Sequence, residues 1–392
     1  MASPPGHVPR LAALTWTPYA LRFRTPFQTA LERLEVRHGF LVRAVDSEGR
    51  TGYGEAAPIA GFGMESLSGC GRALESWAQR LAGRSLAAPP QGPLPAALEA
   101  LSSRGEYSLG EYSLGDAPAA RHGIECALAD LAAQAQGVPL HRWLLRVLGA
   151  GSAAPLPATI AVNATLGALD PEAAARRAAE LAALGYGTLK VKVGFGGAKA
   201  DGERVRAVRE AAPRVALRVD ANGAWTEAEA LAWLCAHAHL GLEYAEQPLP
   251  RGDLPAWARL KAASPVPIAA DESVLDSADA DALLAARAVH LLVLKPMALG
   301  GLLPALRVAQ SAIQRGVPVV LTSVLEGAFG RTAALHAAAA AQALSARPLP
   351  AAGLATGDLL AEDLVARPPA PARGQLPVPQ EPGLGLGQAP LT

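Results

Sequence analysis

The chain has 392 residues, of which 51% are hydrophobic and 18% are charged, and its formal net charge is zero. This composition excludes a disordered chain and is typical of a compact protein large enough for two domains. The sequence contains no block of Lys or Arg residues of the kind that binds nucleic acid. It also contains no apolar run of the ~20 residues that are needed to span a bilayer. The N-terminus lacks the apolar stretch of a secretory signal, so we expect a cytoplasmic protein that does not bind membranes.

The first 150 residues predict a small α+β domain. Residues 10–60 carry alternating apolar residues on both sides of the turn sequence DSEGRTGYG, which predicts antiparallel strands. One helix is predicted from Ser66 to Leu86 and a longer one from about Ala117 to Leu148. Between them, residues 105–115 contain the segment GEYSL twice, which we interpret as a duplication within a surface loop.

From about Pro155 onward, short β-rich runs alternate with helical segments rich in Ala and Leu. Repeated strand–helix units with apolar strands predict a parallel sheet, and about seven or eight units favour a closed barrel. We therefore expect an α/β protein with a (β/α)7β TIM-type barrel over residues 151–365, preceded by an α+β capping domain over residues 1–150. Residues 366–392, rich in Pro and Gly, are expected to return to the capping domain as an extended segment.

Five consecutive predicted strands end in charged residues, and the intervals between these residues are regular. The steps from Lys192 to Asp220, Glu246, Asp271 and Lys295 are 28, 26, 25 and 24 residues, one strand–helix unit each. In a barrel the carboxyl ends of the strands meet at one rim, so these side chains should converge. Any one of them alone would be read as a solvated residue or a helix cap. Five at this spacing within apolar runs favour a shared site, because charges buried apart are costly.

The residue types at this rim indicate a metal-assisted proton transfer. Three carboxylates without His or Cys suit Mg²⁺, with Mn²⁺ as a possible substitute, so we predict Asp220, Glu246 and Asp271 as ligands. Only five of the 35 basic residues are Lys. Since Lys can lose its proton in a crowded site and Arg cannot, the lysines beside the carboxylates are predicted to be catalytic. The implied reaction removes a proton from the carbon next to a carboxylate, and the metal stabilises the enediolate that develops.

These motifs resemble the enolase superfamily, in the muconate lactonizing enzyme-like branch with Lys-x-Lys on the second barrel strand. Residues 52–67, 293–301, 321–330 and 353–364 are in addition similar to the o-succinylbenzoate synthase family. That family implies a lyase of menaquinone or phylloquinone biosynthesis, which dehydrates 2-succinyl-6-hydroxy-2,4-cyclohexadiene-1-carboxylate to o-succinylbenzoate. The segments that match the branch are Lys190-Val-Lys192, Asp220-Ala-Asn222, Glu246-Gln247-Pro248, Asp271-Glu272-Ser273 and Lys295-Pro296.

The resemblance also implies a role for individual residues. Lys192 would take the alpha proton and then help hydroxide to leave, while Lys295 would stabilise the enediolate from the opposite face. Lys190 and Glu272 would tune the neighbouring charges. For a small-molecule carboxylate substrate that carries a succinyl group, the candidate binding residues are Arg218, Asn222, Gly300, Gly301, Ser323 and Glu326.

Two points about the substrate pocket stay open at this stage. The two glycines would offer backbone N–H groups to an anion, but a plain tight turn explains them equally well. In the capping domain, residues 25–29 and 61–65 are candidates for a lid that excludes water.

Two other functions also remain open. An N-succinylamino acid racemase or a dipeptide epimerase would use the same metal site, with Lys192 and Lys295 exchanging protons on opposite faces. A barrel without catalysis would be expected to have lost part of the metal or base set, and the sequence retains every member. The oligomeric state is not indicated by the sequence.

Overall fold

The computed structural model describes most of the chain: residues 9–28, 33–86, 108–109, 112–113, 117–150, 156–167, 169–387 and 390–391. Its N-terminal part contains an antiparallel sheet of β1 (Leu11–Gln28), β2 (Arg33–Asp46) and β3 (Thr51–Ala56), in that order. The alternating apolar residues correctly predict these strands, because burial alternates along β2 and leaves one face of the sheet for packing.

Among the described residues, three helices accompany this sheet: α1 (Leu67–Leu81), α2 (Pro118–Ala135) and α3 (Leu140–Val147). The single helix predicted from Ala117 to Leu148 is wrong, because Gly137 adopts a φ of +64° and ends the first helical segment. Helix α1 also ends before the predicted Leu86. In the duplicated segment, β4 (Ser108–Leu109) and β5 (Tyr112–Ser113) form a small hairpin, and the rest of that segment lies outside the described residues.

The second part of the chain is a barrel. After β6 (Thr159–Ala161), the described residues form a parallel sheet of seven strands whose spatial order follows the sequence. The strands are β7 (Ala164–Leu166), β8 (Thr188–Lys192), β9 (Ala216–Asp220), β10 (Leu242–Glu246), β11 (Ile268–Ala270), β12 (Leu291–Leu294) and β13 (Val319–Leu321). The helices that follow them are α4 (Pro171–Ala183), α5 (Ala198–Ala211), α6 (Glu227–His237), α7 (Leu254–Ala263), α8 (Ser277–Ala285), α9 (Leu302–Gln314) and α10 (Ala328–Leu344).

A short segment around Ala352 connects the two edges of this curled sheet. The N–H of Ala352 donates to Ala161 at 2.8 Å, and its carbonyl accepts from Asn163 at 3.0 Å. On the other side, the N–H of Gly353 donates to Leu321 at 2.9 Å. The TIM-type barrel expected from the sequence is thereby confirmed, with this segment in the place of the eighth strand. None of the helices in the described part of the chain is long and apolar enough to cross a membrane.

The C-terminal segment runs back along the molecule, through β14 (Gln375–Pro377), which pairs antiparallel with β6. Further on, the carbonyl of Gly383 accepts from the N–H of Leu140 at 2.8 Å, at the start of α3. The N–H of Leu384 donates to the Asp130 carboxylate on α2, also at 2.8 Å. The tail therefore contacts α2 and α3, the two helices that directly precede the barrel in the sequence.

Buried glutamates from the N-terminal part cap two barrel helices. Glu55 on β3 accepts from the N–H groups of Gly327 at 2.5 Å and Gly330 at 2.8 Å, in the first turn of α10. Glu125 on α2 accepts from the N–H of Leu303 at 2.8 Å, in the first turn of α9. Carboxyl groups at these positions satisfy unpaired N–H groups and interact favourably with the helix dipole. These two caps attach the N-terminal part to the barrel.

The cap formed by Glu125 makes a prediction about stability and pH. Burial raises the pKa of Glu125 to about 7, although Arg121 and Arg307 act in the opposite direction. The stabilising contribution of a raised carboxyl pKa is complete below the unfolded value and is lost as the pH rises through the folded value. We therefore expect Glu125→Gln to match the wild type near pH 4.5 and to exceed it above pH 8, by about 1–3 kcal/mol.

Urea unfolding at a series of pH values measures this difference. Glu210→Gln, at an exposed helical position, controls for the loss of a carboxyl group. A free-energy difference between Glu125→Gln and the wild type that stays constant with pH would contradict the prediction.

Candidate active site

The charged residues at the carboxyl ends of the barrel strands lie side by side. In the sheet register, Lys192 of β8 pairs with Asp220 of β9, and Asp220 pairs with Glu246 of β10. Register partners on adjacent strands are about 4.8 Å apart, and residues two apart on one strand share a face. Lys190 therefore projects to the same side as Lys192, one layer deeper. Strand pairing alone brings these four groups together.

Each predicted metal-binding carboxylate is bonded to a lysine. The Lys190 ammonium lies 3.0 Å from the Asp220 carboxylate and 2.5 Å from that of Glu246. The Lys192 ammonium lies 2.7 Å from Asp220, and the Lys295 ammonium contacts Asp271. Burial by itself would lower the pKa of Lys190, but the charges of Asp220 and Glu246 raise it well above its ordinary value.

Lys192 and Lys295 approach the site from opposite sides. Their strands, β8 and β12, are separated by β9, β10 and β11. In a ring of eight strands, two strands that are four positions apart lie on opposite walls. The Lys295 ammonium also lies 4.7 Å from the centre of the Phe62 ring, within the range of a cation–π contact. A flat group between the two ammonium groups would have one of them on each face.

Two residues with a positive φ organise the rim between these lysines. Asn222 has a φ of +46° and Gln247 a φ of +39°, a conformation that is rare for such residues and typical of functional sites. The Asn222 side chain donates to Glu272 at 2.7 Å, so its oxygen accepts from Lys192 at 2.8 Å. Glu272 thereby acts on Lys192 through Asn222, which is how it could tune the neighbouring charges.

Gln247 connects the ends of β10 and β11. Its side-chain oxygen accepts from the N–H groups of Asp271 at 2.9 Å and Ser273 at 3.2 Å, and its amide donates to the Ser273 hydroxyl at 2.8 Å. The side chain is buried. It therefore fixes the segment that presents Asp271, a function that the motif Glu246-Gln247-Pro248 did not reveal in the sequence.

The carboxylate cluster fits a divalent cation in its donor chemistry. No three acidic, His or Cys side chains of the described residues are arranged to hold a metal as they stand, because the carboxylates are bonded to lysines. The cluster nevertheless lacks positive charge. Burial and the charges of Asp220 and Asp271 raise the pKa of Glu246 to about 8. A cation bound by these oxygens would supply the missing charge.

A cavity lies above the cluster, and both parts of the chain line it. Phe27 and Phe62 come from the two segments expected to form a lid. Residue 29, the last of the first segment, lies outside the described residues. These two aromatic residues could not be selected from the sequence, because partly buried aromatic residues have many structural roles. The barrel contributes uncharged polar side chains as well as the lysines and carboxylates; these are Asn163, Thr165, Asn222, Thr322, Ser323 and Thr356.

The structure does not bring Arg218 into this cavity. Arg218 is fully buried one layer below Asp220, inside the barrel. Its guanidinium donates to Glu243 at 2.6 Å, to Asn163 at 3.1 Å and to the carbonyl of Ala351 at 2.7 Å. The two-residue period correctly predicts its direction but not its depth, and these contacts assign it to barrel closure.

The two glycines and Glu326 also lie elsewhere. The N–H groups of Gly300 and Gly301 donate within their own turn, to Met297 at 3.2 Å and to Pro296 at 2.9 Å. A Cβ atom on Gly301 would overlap with the carboxyl of Glu125. A carboxyl group does approach this turn, but it belongs to Glu125 of the same chain. Glu326 is buried behind the cavity wall, whereas Ser323 lines the cavity.

Comparison with known proteins gives two family matches and several relatives. Residues 173–388 match the family described as enolase C-terminal domain-like, and residues 17–98 match the MenC N-terminal domain family. A hydrophobic dipeptide epimerase of Enterococcus faecalis is 31% identical over 94% of this chain and 95% of its own. An o-succinylbenzoate synthase of Thermobifida fusca is 41% identical over 58% of this chain and 69% of its own. The solved L-Ala-D/L-Glu epimerase of Bacillus subtilis superimposes with a TM-score of 0.84 at 28% identity, covering 97% of this chain and 99% of its own.

The contacts of Gln247 predict a large cost for its removal. Gln247→Ala leaves the buried N–H groups of Asp271 and Ser273 without partners, so we expect a loss of about 2–4 kcal/mol in the free energy of unfolding. Gln247→Glu keeps the acceptor and should lose less. Denaturant titration measures both variants, and a loss below about 0.5 kcal/mol for Gln247→Ala, the scale of an ordinary surface substitution, would count against this role.

Proposed function

The chain belongs to the enolase superfamily, and we propose that it is an o-succinylbenzoate synthase, a lyase of menaquinone or phylloquinone biosynthesis. The reaction would be the syn-dehydration of 2-succinyl-6-hydroxy-2,4-cyclohexadiene-1-carboxylate to o-succinylbenzoate. The observation that carries this proposal is the higher identity of the matched residues to the synthase than to the dipeptide epimerase, 41% against 31%. The placement of a lysine on each side of the cavity supports it.

In this reaction Lys192 would act twice on the same face of the substrate. Its neutral amine would take the alpha proton, and the resulting ammonium would give a proton to the departing hydroxide. Asn222 accepts a hydrogen bond from the Lys192 nitrogen at 2.8 Å and so holds it in place between the two steps. A single group serving both steps accounts for the syn stereochemistry.

Lys295 would remain protonated on the opposite face. Burial alone would lower its pKa, but the charges of Asp271 and Glu272 raise it above the ordinary value for lysine. An ammonium in that position stabilises the negative charge that develops on the enediolate without taking part in proton transfer. The two lysines would thus have different roles on the two faces of the substrate ring.

Asp220, Glu246 and Asp271 would hold the metal, Mg²⁺ or its substitute Mn²⁺. When bound, the cation would act as a Lewis acid toward the substrate carboxylate. Lys190, bonded to both Asp220 and Glu246, would limit the repulsion between these carboxylates. This assignment rests on the all-oxygen donor set and on its deficit of positive charge.

The cavity walls suggest how the remainder of the substrate would be bound. Phe27 and Phe62 offer apolar surface above the lysines, which suits the cyclohexadiene ring. Thr322, Ser323 and Thr356 offer hydroxyl groups on the side of β13 and the segment that closes the barrel. We propose that the succinyl group lies on this polar side.

A racemase or epimerase is the second candidate. The whole-length similarity to the dipeptide epimerase favours it, and so does the presence of a lysine on each face, since such a reaction needs one to remove and one to return the proton. A barrel without catalysis is less well supported, because the chain retains every group of the predicted metal and base set, and all of them except Glu246 line the cavity.

The metal assignment predicts a shift in melting temperature. One-site binding at about 100 times Kd stabilises the folded state by about 2.7 kcal/mol, so Mg²⁺ should raise the melting midpoint by several degrees and a chelator should reverse the rise. Glu246→Gln should abolish the Mg²⁺ response, while Glu210→Gln should keep it. Indifference of the wild type to Mg²⁺, Mn²⁺ and chelator would contradict the assignment.

The lysine roles predict different effects in two assays. Lys192→Ala should reduce dehydration of the cyclohexadiene substrate by more than about 100-fold, the range of general base catalysis, and Lys199→Ala, an exposed lysine, should leave it unchanged. Lys295→Arg should retain more dehydration than deuterium exchange at the alpha carbon of N-succinyl amino acids. Wild-type protein that catalyses exchange or dipeptide epimerisation but no dehydration would decide for the second candidate.

A further inference from the structure

The segment of Ser323, Val324 and Leu325 forms part of the cavity wall and has an unusual backbone. Leu325 has a φ of +65°, a conformation that a leucine adopts only when its surroundings impose it. All three residues are buried and line the cavity. The Ser323 hydroxyl also lies 2.8 Å from that of Thr356, on the loop after the closing segment. Something must therefore hold this segment in place against its own backbone preference.

The side chain of Glu326 provides that restraint. Its carboxylate accepts from the N–H of Val324 at 2.5 Å, closing a tight loop around Leu325. Its backbone carbonyl accepts from the Arg331 guanidinium at 2.8 Å. Gly330 gives the Glu326 side chain its room, because a Cβ atom there would overlap with the Cγ of Glu326. Glu326 is thus fixed on the side of the segment that faces away from the cavity.

A second carboxyl group connects this restraint to the N-terminal part. Glu55 of β3 accepts from the Tyr19 hydroxyl of β1 and from the N–H groups of Gly327 and Gly330. Gly327 directly follows Glu326 in the chain, and Gly330 lies one helical turn after Glu326. Burial and the nearby charge of Glu55 raise the pKa of Glu326 to about 7. A buried acid beside another acid is a costly arrangement, so the surrounding fold must hold Glu326 in place.

We propose that Glu326 is a positioning residue that sets substrate affinity through the segment 323–325. Its carboxyl oxygen holds the N–H of Val324 and so fixes how Ser323 and Leu325 face the bound substrate. Tyr19 and Glu55 extend the same network into the N-terminal part. This role replaces the direct substrate contact expected for Glu326, and it deepens the proposed function by naming what orders the polar wall of the cavity.

The test compares removal of the carboxyl with its conservative replacement. Glu326→Ala should raise KM for the cyclohexadiene substrate by about 10-fold or more while kcat changes by less than about 3-fold, since lost binding that is common to ground and transition states appears in KM. Glu326→Gln keeps an oxygen for the N–H of Val324 and should restore a KM close to that of the wild type. The Mg²⁺-induced melting shift should be the same in both variants.

Asp130→Ala is the matched control. Asp130 is equally buried and accepts from the N–H groups of Tyr53 and Leu384. None of these residues belongs to the segment 323–325. This variant should lower the melting midpoint but leave KM unchanged. If Glu326→Ala lowers only the melting midpoint, or if Glu326→Gln has the KM of Glu326→Ala, the proposal is overturned.

Two further arms keep the outcomes distinct. If Glu326→Ala does not fold, Glu326→Asp, which shortens the reach to Val324, should show the same rise in KM. A wild-type KM in Glu326→Asp would overturn the proposal.

If the wild type epimerises dipeptides without dehydrating the cyclohexadiene, the proposed function fails. The KM comparison is then made with the dipeptide, where the same rise would support the role of Glu326 and an unchanged KM would refute it.

Discussion

The neutralisation of buried charge at the mouth of the barrel is the constraint on which the rest of the structure depends. The carboxyl groups of Asp220, Glu246 and Asp271 are buried there, with Glu272 partly buried beside them, and they face three ammonium groups. Ions removed from water cost several kcal/mol each unless they are paired. The parallel sheet meets this constraint through its register, which places Lys192, Asp220 and Glu246 in one row. The same arrangement that makes the charges tolerable also concentrates acid–base groups in one cavity.

Much of the site could be predicted from the sequence because barrel geometry converts regular spacing into proximity. The intervals of one strand–helix unit between Lys192 and Lys295 were sufficient to place the lysines and carboxylates at one rim, and the use of Lys in a chain rich in Arg indicated proton transfer. The sequence did not predict how deep in the barrel each residue lies. Arg218 lies two residues before Asp220, about 6.6 Å deeper at the ordinary rise per residue, and there it meets Glu243 and the carbonyl of Ala351.

Gly301 and Arg218, which the sequence analysis placed in the substrate pocket, have partners distant in the chain. Gly301 is required because Glu125, on a helix of the N-terminal part, packs against it. Glu326 differs, because its side chain makes local contacts: it accepts from the N–H of Val324 and fills the space that Gly330 leaves open. Local sequence showed a glycine pair and an acid near a strand end, and both patterns suit a substrate pocket. Only the packing of α2 and β3 on the barrel shows that the carboxyl groups beside these glycines belong to the chain and not to a bound substrate.

The same packing lets the described residues of the N-terminal part influence the cavity, although none of them places an acid–base side chain in its wall. Helix α9 begins shortly after Lys295, and helix α10 begins shortly after Ser323. The first turn of each is capped by a glutamate from the N-terminal part, Glu125 for α9 and Glu55 for α10. A cap fixes the entry of the chain into its helix, and so it also fixes the loop just before it. The N-terminal part therefore acts on the cavity in two ways. It acts directly through Phe27 and Phe62, and indirectly through carboxyl groups behind the two loops that present Lys295 and the polar wall.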